Sequence, residues 1–213
     1  MKRRARDPET GKTIIVSADT TYSEWYKKYV SGNPTAEYKE IAIKNRQSDK
    51  KQYEKYKNIF GDEIPETLDS FQTMKYTDSE KWKLVQLDYR RRNEALQHPE
   101  FKLPNLENVI AADEKFTKYL FGGNHPEGLA KGAAFTSRLG YDLNNWQELQ
   151  KEIISRASWY PAIFRDNNGY GDRYSQKIII YGKKGRPANV VVGWTCKPDG
   201  STSMSSAYIK EVK

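Results

Sequence analysis

Cysteine is almost missing from this chain: Cys196 is the single one among 213 residues. An intrachain disulfide is therefore excluded, and with it the disulfide-stapled class of small secreted domains. Histidine is nearly as scarce. His98 and His125, joined by one thiol, make no zinc site without carboxylate help. No apolar run approaches the roughly 18 residues a bilayer-spanning helix needs, so the reading assigns no membrane partner. The basic start Met1-Lys2-Arg3-Arg4 lacks the apolar stretch of a signal peptide. It passes straight into Asp7-Pro8-Glu9-Thr10-Gly11-Lys12, which reads as mid-protein sequence and suggests a piece of a larger chain. A Walker loop, a Gly-x-Gly-x-x-Gly before a helix, a His-Glu-x-x-His and a Gly-x-Ser-x-Gly elbow are all missing. The carboxylates are scattered, which argues against a two-metal nuclease. No cofactor is expected.

What the chain does have is positive charge and aromatic surface. Its formal net charge is +8 and its sequence pI about 9.3, a balance that favours anionic partners, either nucleic acid or an acidic protein. Fifteen tyrosines and five tryptophans supply apolar bodies with polar tips, suited to small cores and to base stacking. The charge is uneven. Residues 1–110 hold 21 Lys+Arg against 18 Asp+Glu, whereas residues 111–213 hold 15 against 10, so the second part is less neutralised internally.

The pattern up to residue 110 is helical and interrupted. A short amphipathic helix is expected over Tyr22–Val30, closed by Gly32. Another is expected over Asp49–Phe60, with Ser48 as N-cap and Gly61 as its stop. Thr67–Tyr76 and a longer run from Asp78 to Leu96 follow, the latter ended by His98-Pro99. Phe101–Asn108, with Pro104, reads as a linker. Such narrow apolar faces need a partner, so this part is expected to be a small bundle, an extended arm or a docking surface.

From Ala111 the pattern changes. Asp113 is expected to cap a helix over Glu114–Phe121, a second begins at Pro126 and stops at Gly140, and a third covers Asn144–Arg156. Trp159–Phe164 reads as an irregular aromatic stretch. Three strands are then expected, over Arg173–Tyr181, Ala188–Cys196 and Thr202–Val212, with hairpin turns between them. Helices followed by an antiparallel meander define an α+β domain: about three helices packed on a three- to four-stranded antiparallel sheet, at 111–213, after a helical carrier segment at 1–110.

The groups that could carry chemistry are isolated polar residues. His125 precedes Pro126 at a helix start and Lys131 lies just inside it, so the two could frame a phosphate together with the free backbone N–H groups. The plainer alternative is a loop histidine and a solvated lysine. Arg173 could clamp a phosphate or pair with Asp172 or Glu211. Thr195 and Ser206, on adjacent strands, could face one cleft or be ordinary cross-strand hydroxyls. Tyr170, Trp194 and Tyr208 could stack a base, although the valines before Trp194 argue for core. Lys183, Lys184 and Arg186 form a basic hairpin tip, either a solvated turn or a backbone-tracking footprint.

The order of these residues resembles a known toxin class. Asp113-Glu114-Lys115-Phe116 with Tyr119-Leu120, then His125-Pro126-x-Gly128-x-x-Lys131-Gly132-x-x-Phe135, then Leu139-Gly140-Tyr141 open the pattern. Tyr170-Gly171-Asp172-Arg173-Tyr174, a Gly-x-x-Gly-Arg turn, Val190 to Trp194 and Ser206-Ala207-Tyr208 complete it. Ala111–Lys213 is thereby similar to the barnase–EndoU–colicin–RelE class of metal-independent ribonucleases found at the ends of polymorphic toxins and phage head proteins. The polar final strand, Met204-Ser205-Ser206, departs from the usual apolar lead into that motif. The preceding part resembles the C-terminal tail of Mu-type phage minor head proteins, on Thr21-Tyr22-x-Glu24-Trp25-Tyr26, Asp49-Lys50-Lys51-Gln52-Tyr53-x-x-Tyr56, Phe71-Gln72-x-x-Lys75-Tyr76 and Glu80-Lys81-Trp82.

The resemblance implies an endoribonuclease that uses the RNA 2′-OH against the neighbouring phosphate. His125, Lys131, Arg173, Thr195, Ser206 and Tyr208 would be its catalytic set, and Tyr170, Lys183, Lys184 and Arg186 would bind RNA. It also implies an RNA substrate with tRNA one candidate, an acidic immunity protein, and phage head or portal contacts. The chain would be virion-associated or bacterial-cytoplasmic, acting in the cytoplasm of a target bacterium. Two rivals stand beside it: a non-catalytic phage structural or nucleic-acid-binding module, and a group-transfer enzyme on a similar small fold.

Overall fold

The computed structural model describes residues 4–6, 12–16, 20–25, 27–28 and 36–212. The chain divides into two compact units, Met1–Tyr89 and Arg90–Lys213.

In the first unit, β1 (Arg4–Arg6) and β2 (Thr13–Ile15) pair antiparallel. Of the helix expected over residues 22–30, α1 (Tyr22–Trp25) is present, while Tyr26 and residues 29–30 lie outside the described residues. The next helix is longer than expected. α2 runs unbroken from Ala36 to Phe60, so Ser48 sits within it rather than capping it. No proline or glycine interrupts residues 36–48, and a single serine costs an exposed helix only a few tenths of a kcal/mol. α3 (Leu68–Thr77) falls on the expected Thr67–Tyr76 run, and Thr67 caps it rather than opening it: its Oγ1 accepts the Ser70 N–H at 3.2 Å. α4 spans Ser79–Gln97, of which Ser79–Tyr89 belong to this unit. Within this unit the Tyr56 ring stacks on Tyr89 at 4.2 Å and on Trp82 at 5.6 Å, and Phe71 meets Trp82 edge-on. These helices pack as a small bundle with an aromatic centre.

The second unit is α+β. Its sheet has five strands in the order β3 (Val109–Ile110), β7 (Thr202–Ile209), β6 (Ala188–Cys196), β5 (Asp172–Ile180), β4 (Ala162–Asn167). β3 runs parallel to β7 and every other pairing is antiparallel. The three central strands lie where the sequence predicts them. The two edge strands are additions, and β4 occupies part of the stretch read as irregular. Of its six residues only Ala162 is buried, so it lacks the alternation by which a half-buried strand is recognised.

α5 (Pro126–Leu139) and α6 (Trp146–Arg156) cover one face of the sheet. Ile178, Ile180, Val190, Val192, Trp194, Met204 and Ala207 point from the strands into the core, meeting Phe135, Leu139, Leu149 and Ile153 from the helices. Trp194 is wholly buried, and its indole N–H donates to Gln176 Oε1 at 3.1 Å. The segment expected as an α-helix over Glu114–Phe121 is instead a π-helix, Lys115–Leu120, closed by the Phe121 N–H on Phe116 O. The expected linker also joins this unit. Leu103 is 2% exposed within the core, and Thr202 Oγ1 donates to Pro104 O at 2.9 Å.

Candidate functional site

Side chains alternate across a strand, so the register fixes which residues share the sheet face opposite the core. Four rows cross it, the fourth being Ile179 with Asn189, which is buried. Asp166, Arg173, Thr195 and Ser203 form the first, Ile163, Ser175, Gly193 and Ser206 the second, and Lys177, Val191 and Tyr208 the third. The face is rich in small hydroxyls, which neither fill a core nor carry charge. At its centre is Gly193, opposite an irregularity in the β6–β7 register. A methyl group there would lie 2.8 Å from both Ser205 Oγ and Ser206 Oγ. The polar run of β7, unusual for its motif, is thus the wall of this floor.

A cluster from the helices stands beside Tyr208. Lys131 Nζ lies 5.7 Å from the Tyr208 ring centroid and 5.5 Å from that of Tyr119. It donates to the Tyr119 hydroxyl at 3.3 Å and pairs with Glu127 Oε1 at 2.6 Å. Tyr119 and His125 have ring centroids 5.0 Å apart. His125 is the N-cap of α5, its Nδ1 accepting the Gly128 N–H at 3.3 Å. With Nδ1 accepting, the neutral ring carries its hydrogen on Nε2. Burial draws the Lys131 ammonium pKa down, but its hydrogen bonds to Glu127 and Tyr119 and their charges outweigh that, and the net shift is upward. The same pairing, led by the Lys131 hydrogen bond, holds the Glu127 carboxyl below its ordinary value.

Two glycines explain why α5 comes so near. A Cβ on Gly128 would lie 2.2 Å from Tyr119 O, and one on Gly132 would lie 1.8 Å from Leu120 O. Spaced one turn apart, they let the backbone of the π-helix press against α5 and place Tyr119 over Lys131.

The structure therefore brings His125, Lys131 and Tyr208 together and adds Tyr119, read from the sequence only as a motif residue, and Glu127, which the sequence did not single out. Thr195 and Ser206 share the adjoining face. Arg173 lies at its far end, two strands and four residues from Tyr208, on the order of 15 Å by strand geometry. It is held there by Asp166 rather than by Asp172 or Glu211, through Nε and Nη2 at 2.5 Å each. That hydrogen-bonded pair holds the Asp166 carboxyl below its usual range. Tyr170 is 80% exposed at the β4–β5 turn. Lys183 and Lys184 lie at the other end of α5. Lys183 pairs with Glu148 at 2.6 Å, and Lys184 Nζ donates to Thr136 O and Ser137 O at the helix C-terminus. Arg186 is exposed in the same turn. Among the described residues no three of His, Cys, Asp and Glu are placed to hold a metal ion.

Fold and site together define a small α+β domain with a lysine–tyrosine cluster beside a hydroxyl-lined sheet face. The chain belongs to the family described as "Domain of unknown function (DUF6883)", whose model matches residues 102–211, just over half of its length. The match contains the whole cluster and the face beside it. No curated protein matches the chain. A solved contact-dependent growth inhibition toxin–immunity protein complex from Klebsiella pneumoniae 342 is similar at a TM-score of 0.41 and 18% identity, over 51% of this chain and 98% of that one. A likeness of that degree carries no conclusion about activity.

Proposed function

We propose that the second unit is a metal-independent endoribonuclease of toxin type. The observation that carries the reading is the Lys131 ammonium, held charged between Tyr119 and Tyr208 next to His125 at the margin of a face lined with hydroxyls. Cleavage of RNA by its own 2′-OH forms a bond from that oxygen to phosphorus and breaks the bond to the 5′ oxygen. It leaves a 2′,3′-cyclic phosphate and a 5′-OH. The crowded phosphate needs a fixed cation, and Lys131 is the one in the cluster. His125 directs Nε2–H toward the departing oxygen. Delivering a proton to that oxygen requires the doubly protonated ring, at the expense of its 3.3 Å contact with Gly128. The 2′-OH proton leaves to water. Thr195, Ser206 and Tyr208 position the nucleotide. Arg173, about 15 Å away, meets a phosphate further along the strand rather than the scissile one. DNA, without the 2′-OH, resists.

Motif order along the chain and its basic charge support a wider role. The first unit serves as a phage head-type carrier with head or portal contacts. An acidic immunity protein covers the basic second unit. Action falls in the cytoplasm of a target bacterium, with tRNA one candidate substrate. Purified full-length chain incubated with total RNA in EDTA is expected to give discrete fragments ending in cyclic phosphate. Equal cleavage by a variant combining His125→Ala, Lys131→Ala and Arg173→Ala would refute the reading. Salt-sensitive RNA binding with no product would instead favour a non-catalytic nucleic-acid-binding module.

A further inference from the structure

The geometry points to Tyr119 as a positioning residue of this site, one whose hydroxyl aims the Lys131 ammonium at the phosphate; the inference rests on the ribonuclease reading for its catalytic consequence. Three observations support it. The Tyr119 hydroxyl accepts from Lys131 Nζ at 3.3 Å while the Tyr119 and Tyr208 rings lie at nearly equal distances from that nitrogen, 5.5 and 5.7 Å. The ammonium is therefore held at the Tyr119 hydroxyl with the Tyr208 ring beside it, whereas a free lysine would sample many rotamers. Tyr119 itself cannot drift, because its carbonyl and ring edge fill the space left by the missing side chain of Gly128. The π-helix carries it there with Phe116 and Leu120 buried on its other side. A π-turn in place of an α-turn is uncommon and is found frequently at functional sites.

Glu127 also holds Lys131, at 2.6 Å, but its own side chain is largely exposed, at 67%. An incoming phosphate competes directly with this carboxylate for the ammonium. The tyrosine hydroxyl is neutral and does not compete in that way. When the phosphate displaces Glu127, Tyr119 remains as the contact that keeps Lys131 in place.

Two variants of the full-length chain separate this role from packing. Tyr119→Phe keeps the ring and removes the hydroxyl, and Tyr119→Ala removes both. With RNA as substrate, Tyr119→Phe is expected to lower kcat about tenfold, the size of one lost hydrogen bond, with KM and the thermal unfolding midpoint unchanged. Equal kcat for Tyr119→Phe and the parent chain would overturn the inference, whatever Tyr119→Ala does. A second readout needs no activity. The Lys131 ammonium is followed by NMR titration, and in Tyr119→Phe its pKa is expected to fall relative to the parent. If the parent chain cuts no RNA, the ribonuclease reading fails by itself, and this titration still decides whether Tyr119 holds Lys131. An unmoved Lys131 titration midpoint rejects the contact.

Discussion

At Lys131, opposing effects meet on one nitrogen. Burial favours the neutral amine, while Glu127 and the Tyr119 hydroxyl favour the ammonium, and the second pair wins. For a cation whose pKa is raised on folding, the charged form is complete below the ordinary lysine value and is lost only as pH rises through the elevated one. RNA binding that depends on this charge should persist through alkaline conditions in which an ordinary surface lysine, near pKa 10.4, has begun to deprotonate. Glu127→Gln is expected to move the alkaline fall of RNA affinity to lower pH, as read by fluorescence anisotropy across pH 8–11. An unmoved limb would show that Lys131 is not the group that titrates. Arg173 presents the opposite case. Its charge is spent on Asp166, with both groups close to half exposed. Asp166→Asn releases the guanidinium and removes a carboxylate from the same row of the face, so RNA should bind more tightly, more so at low salt. Weaker binding by that variant would mean that Asp166 is needed to hold Arg173 in a productive pose.

Among the elements, the junction of the π-helix with α5 sets the geometry of the site. Gly132→Ala places a methyl carbon 1.8 Å from a backbone oxygen, which no side-chain rotation can relieve. Overpacking of this kind costs about 1–3 kcal/mol. The expected result is a lower urea midpoint at unchanged slope, together with loss of cleavage as Tyr119 and Lys131 separate. Gly193→Ala is the contrast, because its neighbours are serine hydroxyls that can turn away. It should leave the urea midpoint close to the parent value and impair RNA cleavage alone. These two glycines also show what was legible in the sequence. The spacing of His125, Gly128, Lys131 and Gly132 was visible as a pattern, and the α5 start at Pro126, the Gly140 stop and the three central strands follow from local chemistry. The partner of that spacing was not visible. Lys115–Leu120 has the apolar content of an ordinary helix, and its close approach to α5 at Gly128 and Gly132 joins residues whose contact no local pattern announces. β4 escaped notice because five of its six residues are exposed. Arg173 and Asp166 could not be paired in advance, since that pairing depends on β4 being a strand.

For the molecule as a whole, the decisive boundary is where the second unit begins. Sequence pattern places a division after Ile110 and the family match begins at residue 102, whereas the compact unit begins at Arg90. The intervening residues are integral to it. Arg92 lies 4.5 Å from the Trp159 ring centroid, and its Nε donates to the Tyr160 hydroxyl at 3.2 Å. Arg91 donates to Asn189 Oδ1 at 2.7 Å. Leu103 fills the core, and Val109–Ile110 pair with Thr202–Ser203 at one edge of the sheet. A fragment starting at Ala111 loses all of these. Removing a buried leucine alone costs about 2–5 kcal/mol, a large share of the 5–15 kcal/mol that holds a typical domain. Residues 90–213 produced alone should therefore unfold cooperatively in urea and cleave RNA like the full chain, while residues 111–213 should be far less stable or fail to fold. The two fragments keep the same His125, Lys131 and Tyr208, so equal stability would show that residues 90–110 are dispensable to the fold. An inactive but stably folded fragment 90–213, beside an active full chain, would show instead that the first unit contributes to the reaction itself.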